Sequence, residues 1–216
     1  MNLYEKYRPQ TFDDVLGQQK AVNTIQRLLK RGWGGQAFWI SGASGTGKTT
    51  IARIIARMGA DDFTTEEYEC GSNFDDATLL SIERGMYMRG WMGKGRAFII
   101  NEAHGLTNAQ VRHLLGMLER IPSHCVFVFT TTTEGQLGKF DKGLDAAPFL
   151  SRCHEIYLTN QGLNKLFAEH CQRIAQAEGL DGKPLKAYEQ LARDCHNNAR
   201  MMLQEIAKGT MADQQS

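Results

Sequence analysis

Hydrophobic residues fall along the chain in two distinct patterns. Four short uninterrupted runs, Ala37-Phe38-Trp39-Ile40, Ala97-Phe98-Ile99-Ile100, Val126-Phe127-Val128-Phe129 and Ile156-Tyr157-Leu158, are rich in β-branched and aromatic residues and read as buried strands. A weaker run at Tyr68-Glu69-Cys70 is a candidate fifth. Between the runs, apolar residues recur at three- and four-residue steps over Ala21 to Arg31, Thr49 to Arg57 and Asn108 to Arg120, the spacing of helices with one buried face. Strands that alternate with helices predict an α/β architecture, a five-stranded parallel sheet covered by helices on both sides.

The pattern changes after Leu158, beyond which no strand-like run occurs. Leu163, Leu166, Phe167, Cys171 and Ile174 mark a helix stopped by Gly179, and further helices are expected over Leu185 to Cys195 and Ala199 to Lys208. The expected organisation is an α/β core over 1–159, a small all-helical domain over 160–210 and a frayed polar tail over 211–216.

Composition narrows the function classes. In 216 residues, 42% hydrophobic content supplies a substantial core and argues against disorder. With 25 basic and 24 acidic residues the net charge is +1, so any grip on a polyanion must come from a local patch. Arg84, Arg89, Lys94 and Arg96 offer one. Cys70, Cys125, Cys153, Cys171 and Cys195 form no C-x-x-C pair and read as reduced, buried thiols. The N-terminus has no apolar signal region and no run is long enough to span a bilayer, so a cytoplasmic protein without a membrane partner is expected.

The sharpest chemical signal is Gly42-Ala43-Ser44-Gly45-Thr46-Gly47-Lys48-Thr49, which fits G-x-x-x-x-G-K-[ST] directly after a predicted strand and before a predicted helix. Glycines at Gly42, Gly45 and Gly47 let backbone N–H groups curl toward phosphate oxygens, with Ser44, Thr46 and Thr50 beside them. Lys48 is placed to neutralise β- and γ-phosphates and Thr49 to hold Mg²⁺. A second element, Phe98-Ile99-Ile100-Asn101-Glu102-Ala103-His104, is an apolar strand ending in polar residues. Glu102 is the candidate general base, and Asn101 stands at the metal-supporting position where an aspartate is usual. That departure reads either as slow hydrolysis or as an engineered trap of one nucleotide state.

With these motifs and Glu5-Lys6-Tyr7-Arg8-Pro9, followed by Thr11-Phe12-Asp13-Asp14-Val15-Leu16-Gly17-Gln18, the chain resembles the clamp-loader ATPases of the AAA+ class, which include replication factor C small subunits and the bacterial DNA polymerase III gamma/tau subunit. Further matches are Glu69-Cys70-Gly71-Ser72, Asn101-Glu102-Ala103-His104-Gly105-Leu106-Thr107, and Leu150-Ser151-Arg152-Cys153. The resemblance implies a P-loop AAA+ core with a helical lid, and ATP and Mg²⁺ as cofactors. It implies Tyr7, Arg8 and Pro9 around the adenine, and Thr132, with Thr131 as the alternative, as the sensor beside the γ-phosphate. It makes Arg152 an arginine finger acting on the nucleotide of a neighbouring subunit, and Arg200, in Asn197-Asn198-Ala199-Arg200, a second sensor reaching from the lid. Asn197 replaces the family's glycine and must take up a left-handed backbone there. Neither the zinc-binding cysteine cluster of the gamma/tau branch nor a helical collar follows the pattern in this chain.

The implied partners are copies of itself or related AAA+ subunits, with DNA and a sliding clamp as possible further ones. Two other functions remain open: a weakly hydrolysing, nucleotide-gated interaction module, and another AAA+ DNA motor such as a branch-migration ATPase.

Overall fold

A computed structural model describes residues 2–71, 74–90, 93–132 and 147–212, in two compact units. Ser72 and the tail residues 213–216, both part of the expectations above, lie outside the described residues.

The larger unit comprises residues 20–42 and 48–158. Its five parallel strands are β1 (Gln36–Gly42), β2 (Thr65–Glu69), β3 (Arg96–Asn101), β4 (Cys125–Thr131) and β5 (His154–Leu158), in spatial order β2-β3-β4-β1-β5. The three central strands are buried almost throughout, which is why they stand out as continuous apolar runs. The edge strands β2 (Thr-Glu-Glu-Tyr-Glu) and β5 (His-Glu-Ile-Tyr-Leu) are only partly covered, and their sequences carry fewer apolar residues.

Register aligns Ala37 and Trp39 of β1 with Phe127 and Phe129 of β4, and Phe98 of β3 with Phe127. On that face Phe98 stacks on Phe127 at 5.0 Å, and Phe149 meets Phe129 edge-on at 5.1 Å and Trp39 at 5.7 Å. Helices α4 (Asp76–Met86) and α5 (Asn108–Leu118) cover these rings with Leu79, Ile82, Met86, Val111, Leu114 and Met117. Each fully buried ring contributes on the order of 1.5–3 kcal/mol. Helix α3 (Lys48–Arg57) packs against β1, β3 and β4, and α2 (Gln19–Leu29) buries Ala21, Val22, Ile25 and Leu29. Helix α4 was not among the expected helices. Its start is fixed by Asp75, whose carboxylate accepts from the Thr78 backbone N–H at 2.8 Å. At α5, Thr107 and Gln110 form a reciprocal capping box. A four-residue helix, α6 (Ala147–Leu150), precedes β5.

The smaller unit comprises residues 2–19, 43–47 and 159–212 among those described. It holds the short helix α1 (Leu3–Lys6), a 3₁₀ turn at Phe12–Asp14, and helices α7 (Asn164–Ala177), α8 (Leu185–Asp194) and α9 (Ala199–Ala207). Phe167, Cys171 and Ile174 of α7 meet Tyr188 and Ala192 of α8, Met202, Leu203 and Ile206 of α9, and Leu3 of α1. Gly179, at φ 69°, ends α7 as its sequence position predicts.

Polar contacts tie the N-terminal segment to the rest of this unit. Lys6 Nζ and Tyr7 Oη both donate to Glu178 Oε1, at 2.6 and 2.5 Å. The buried Gln18 amide donates to the Thr159 carbonyl and accepts from its N–H. Gly17, at φ 73°, lies so close to Leu163 that a side chain there would meet it at 2.6 Å. Among the described residues no helix is long and apolar enough to cross a membrane.

Candidate nucleotide-binding site

In the chain, the phosphate loop connects β1 to α3. Within residues 43–47, Thr46 donates its hydroxyl to the Ala43 carbonyl at 2.8 Å, and the backbone turns on Gly45 and Gly47 at φ 77° and 97°. Those angles disfavour any residue with a Cβ. Among the described residues no atom lies within 4 Å of where a Gly47 side chain would begin, leaving room there for an incoming group. Gly45 instead abuts Asn198, whose Oδ1 would lie 2.1 Å from an added Cβ. Asn198 also caps α9, accepting from the Met201 N–H at 3.2 Å.

At the start of α3, the buried Lys48 ammonium donates to the Gly42 carbonyl at 2.9 Å. Thr49 donates its hydroxyl to Asn101 Oδ1 at 3.2 Å, and Thr130 donates to the same oxygen at 2.8 Å. The Asn101 Nδ2 donates in turn to Glu67 Oε1 at 2.8 Å, and Glu67 receives two N–H groups of Arg53, at 2.8 and 3.1 Å. Burial, foremost, holds the nearby Glu69 carboxyl above the usual carboxylate range.

Glu102, directly after β3, adopts a left-handed backbone, φ 52° and ψ 41°, unusual for a residue with a side chain and a recurrent feature of functional sites. Its carboxylate lies 3.4 Å from His104 Nδ1, which is also 3.3 Å from Thr131 Oγ1. Thr131 is fully buried and Thr132 half-buried at the end of β4. Arg152 lies between α6 and β5, with one guanidinium nitrogen 2.6 Å from Glu119 Oε1 and another donating to the Pro148 carbonyl at 2.7 Å.

In the smaller unit, Arg8 pairs with Glu5, and Tyr7 is occupied by its bond to Glu178, with Pro9 next in the chain. Arg200 is exposed at the start of α9 and lies over the Tyr4 ring at 5.3 Å. Asn197 has the left-handed backbone expected of it, φ 57°. Of the basic residues proposed for a polyanion, Arg96 pairs with Glu66 and Lys94 with Asp61 at 3.5 Å. Arg84 and Arg96 line a surface groove of about 440 Å³, and Arg89 is exposed.

All five cysteines are free; Cys125, Cys171 and Cys195 are buried, whereas Cys70 and Cys153 are half-buried, a departure from the uniformly buried set expected. Desolvation pushes the Cys70 and Cys153 thiols up to about 12, so they are poor nucleophiles at neutral pH.

The donor set suits a magnesium nucleotide. Thr49 Oγ1 and Asn101 Oδ1 are hard oxygen donors, and Lys48, next to Thr49 in the chain, is a cation. The sequence motifs did not single out Glu67, Arg53 and Thr130.

A five-stranded parallel sheet with a G-x-x-x-x-G-K-[ST] loop leading into a helix defines a P-loop nucleotide-binding chain. Solved structures share this fold. A variant of Thermotoga maritima RuvB matches with a TM-score of 0.73 at 20% identity, over 94% of this chain and 65% of that one. A Thermotoga maritima DNA polymerase III gamma subunit-related protein matches with a TM-score of 0.54 at 12% identity, over 84% and 69%. No family model matches.

Among curated proteins, the DNA polymerase III subunit gamma of Buchnera aphidicola subsp. Baizongia pistaciae is 33% identical over 190 residues, covering 77% of this chain and 49% of that protein. The subunit tau of Escherichia coli is 28% identical over 234 aligned positions, covering 96% of this chain and 35% of that protein. The chain is a clamp-loader-like AAA+ protein. It spans between about a third and a half of the length of these two curated relatives.

Proposed function

We propose that the chain binds Mg²⁺–ATP at the 42–49 loop and hydrolyses it, acting as a clamp-loader-type ATPase with copies of itself or related subunits, on DNA and a sliding clamp. The observations that carry this reading lie at the end of the sheet: Lys48 bonded to the Gly42 carbonyl, and Thr49 of α3 bonded to Asn101 of β3. The similarity to subunits named for DNA polymerase III supplies the replication setting.

In this reading Lys48 neutralises phosphate charge and the loop N–H groups cradle it. Thr49 and Asn101 would hold Mg²⁺, which when bound offsets the charge on the phosphates. Glu102 orients and deprotonates the attacking water, after leaving the His104 contact seen here. Thr132, or Thr131, contacts the γ-phosphate or that water. Arg152 acts on the nucleotide of a neighbouring subunit once released from Glu119. The resemblance assigns Tyr7, Arg8 and Pro9 to the adenine and Arg200 to the γ-phosphate.

A slower variant of this function, a nucleotide-gated interaction module, is favoured by two observations: position 101 carries an amide rather than a charge, and Glu102 is engaged by His104. A branch-migration motor shares the fold, as the RuvB likeness illustrates, but at 20% identity that likeness speaks only to fold.

The test is equilibrium binding of a fluorescent ATP analogue alongside phosphate release. Lys48→Ala is expected to weaken binding at least tenfold, and Glu102→Gln to keep binding while abolishing turnover. Unchanged binding in a folded Lys48→Ala chain would refute the site. Tight binding with no turnover in the unaltered chain would select the gated module.

A further inference from the structure

Position 101 lacks the negative charge that a metal-supporting strand end commonly carries, yet a carboxylate sits one hydrogen bond away. The Asn101 amide is 2% exposed: Oδ1 accepts from Thr49 and Thr130, Nδ2 donates to Glu67, and the same side chain is also hydrogen-bonded to the Glu69 carboxyl. Only one orientation of that amide suits this surrounding. Reversed, its oxygen would face the Glu67 carboxylate, acceptor against acceptor, whereas the two hydroxyls are indifferent because each can donate or accept.

Glu67 is itself fixed by two Arg53 N–H groups. Arg53 lies one turn beyond Thr49 on α3, so both side chains leave the same face of the helix. Thr49, Asn101, Glu67 and Arg53 therefore close a ring between α3, β3 and β2.

We propose that Asn101 and Glu67 form a transposed amide–acid pair, in which Glu67 supplies the negative charge that position 101 lacks and acts as the positioning residue that holds Asn101 Oδ1 toward Thr49, the two oxygens that would hold Mg²⁺. The assignment rests on the nucleotide reading above. It has a consequence that runs against simple restoration of the usual residue. An aspartate at 101 would set two carboxylates at the 2.8 Å separation now spanned by a hydrogen bond, and repulsion would open the ring. Introducing an amide at 67 at the same time moves the acid to 101 and keeps one donor and one acceptor in that contact.

The experiment is a double-mutant cycle of the full chain: Asn101→Asp, Glu67→Gln and both together, with Glu67→Ala added. Thermal unfolding without nucleotide at neutral pH reads the pair, and the Mg²⁺ concentration for half-maximal binding of a fluorescent ATP analogue reads its role. Asn101→Asp alone is expected to melt lower than the parent, by roughly 4 °C or more. The double variant should recover at least half of that loss, and should half-saturate with Mg²⁺ at about threefold lower concentration than the parent, its charge being adjacent to the metal. Glu67→Ala should raise the Mg²⁺ requirement about threefold.

Additive melts, with Asn101→Asp tolerated equally beside glutamate or glutamine, would overturn the pairing. A Glu67→Ala chain that is folded and has the parental Mg²⁺ requirement would overturn the positioning role. Failure of the parent chain to bind nucleotide would instead remove the functional reading, and the melts alone would then decide the pairing.

Discussion

Trp33 secures the far end of the helix that begins at the phosphate loop, and its removal gives a graded test of how that helix is held. The indole lies between Gly59 and Gly95, each so close that an added Cβ would meet the ring at 2.2 Å. Its Nε1 donates to the Ile55 carbonyl at 2.7 Å, one of the last carbonyls of α3, which also accepts from the Met58 N–H at 3.3 Å. Replacing a buried tryptophan by alanine costs about 3–5 kcal/mol, and the partial exposure of Trp33 places it near the lower end, about 3 kcal/mol. Trp33→Phe keeps most of the ring packing and loses the hydrogen bond, about 1 kcal/mol. At about 2–4 °C per kcal/mol for a chain of this size, the expected falls in melting temperature are roughly 6–12 °C and 2–4 °C. Calorimetry or circular dichroism reads them. A Trp33→Ala chain melting within a degree of the parent would refute the packing argument, and equal losses in the two variants would shift the contribution from the ring to the hydrogen bond.

Two further outcomes follow from local geometry. Gly45→Ala should melt lower than Gly47→Ala: both force a side chain into a positive φ, but only the former displaces Asn198, adding about 1 kcal/mol for the disturbed cap of α9; equal melts would contradict this. Acid should destabilise the helical unit in two stages. Burial, and then the charge of Arg173, holds the folded His170 below its ordinary value, so stability falls as pH drops below about 6.5 and the unfolded chain takes up a proton first. Hydrogen bonds from Lys6 and Tyr7 hold Glu178 below the usual carboxylate range, so that contribution is lost at lower pH, as the folded carboxylate becomes protonated. His170→Gln should flatten the first stage and Glu178→Gln the second in pH-dependent melts.

The central strands and the phosphate loop were legible because each carries its cause locally. β1, β3 and β4 are apolar on both faces, and the loop is spelled in consecutive residues. Helix α4 was less legible: its buried Leu79, Ile82 and Met86 have helical spacing, but Thr78, Ser81 and Gly85 dilute the signal, and only the Asp75 cap marks its start. The Asn101 ring was hidden because register brings it together, Glu67 lying 34 positions from Asn101 in the chain. The Trp33 socket was hidden likewise, since nothing in sequence says that two distant glycines flank one indole. For Arg152, Arg200 and Tyr7 the sequence offered resemblance rather than local cause, and each here holds an intramolecular partner, Glu119, the Tyr4 ring and Glu178.

The central claim is a nucleotide site completed by a neighbouring subunit, and complementation between two inactive chains tests it most directly. Glu102→Gln retains Arg152 but lacks the base, while Arg152→Ala retains the base but lacks the finger. ATP hydrolysis should be near zero for each alone across a range of protein concentrations, and should reappear on mixing, as Arg152 of one chain meets Glu102 of another. Full activity in Arg152→Ala alone, or a mixture as inactive as its components, would contradict the shared site.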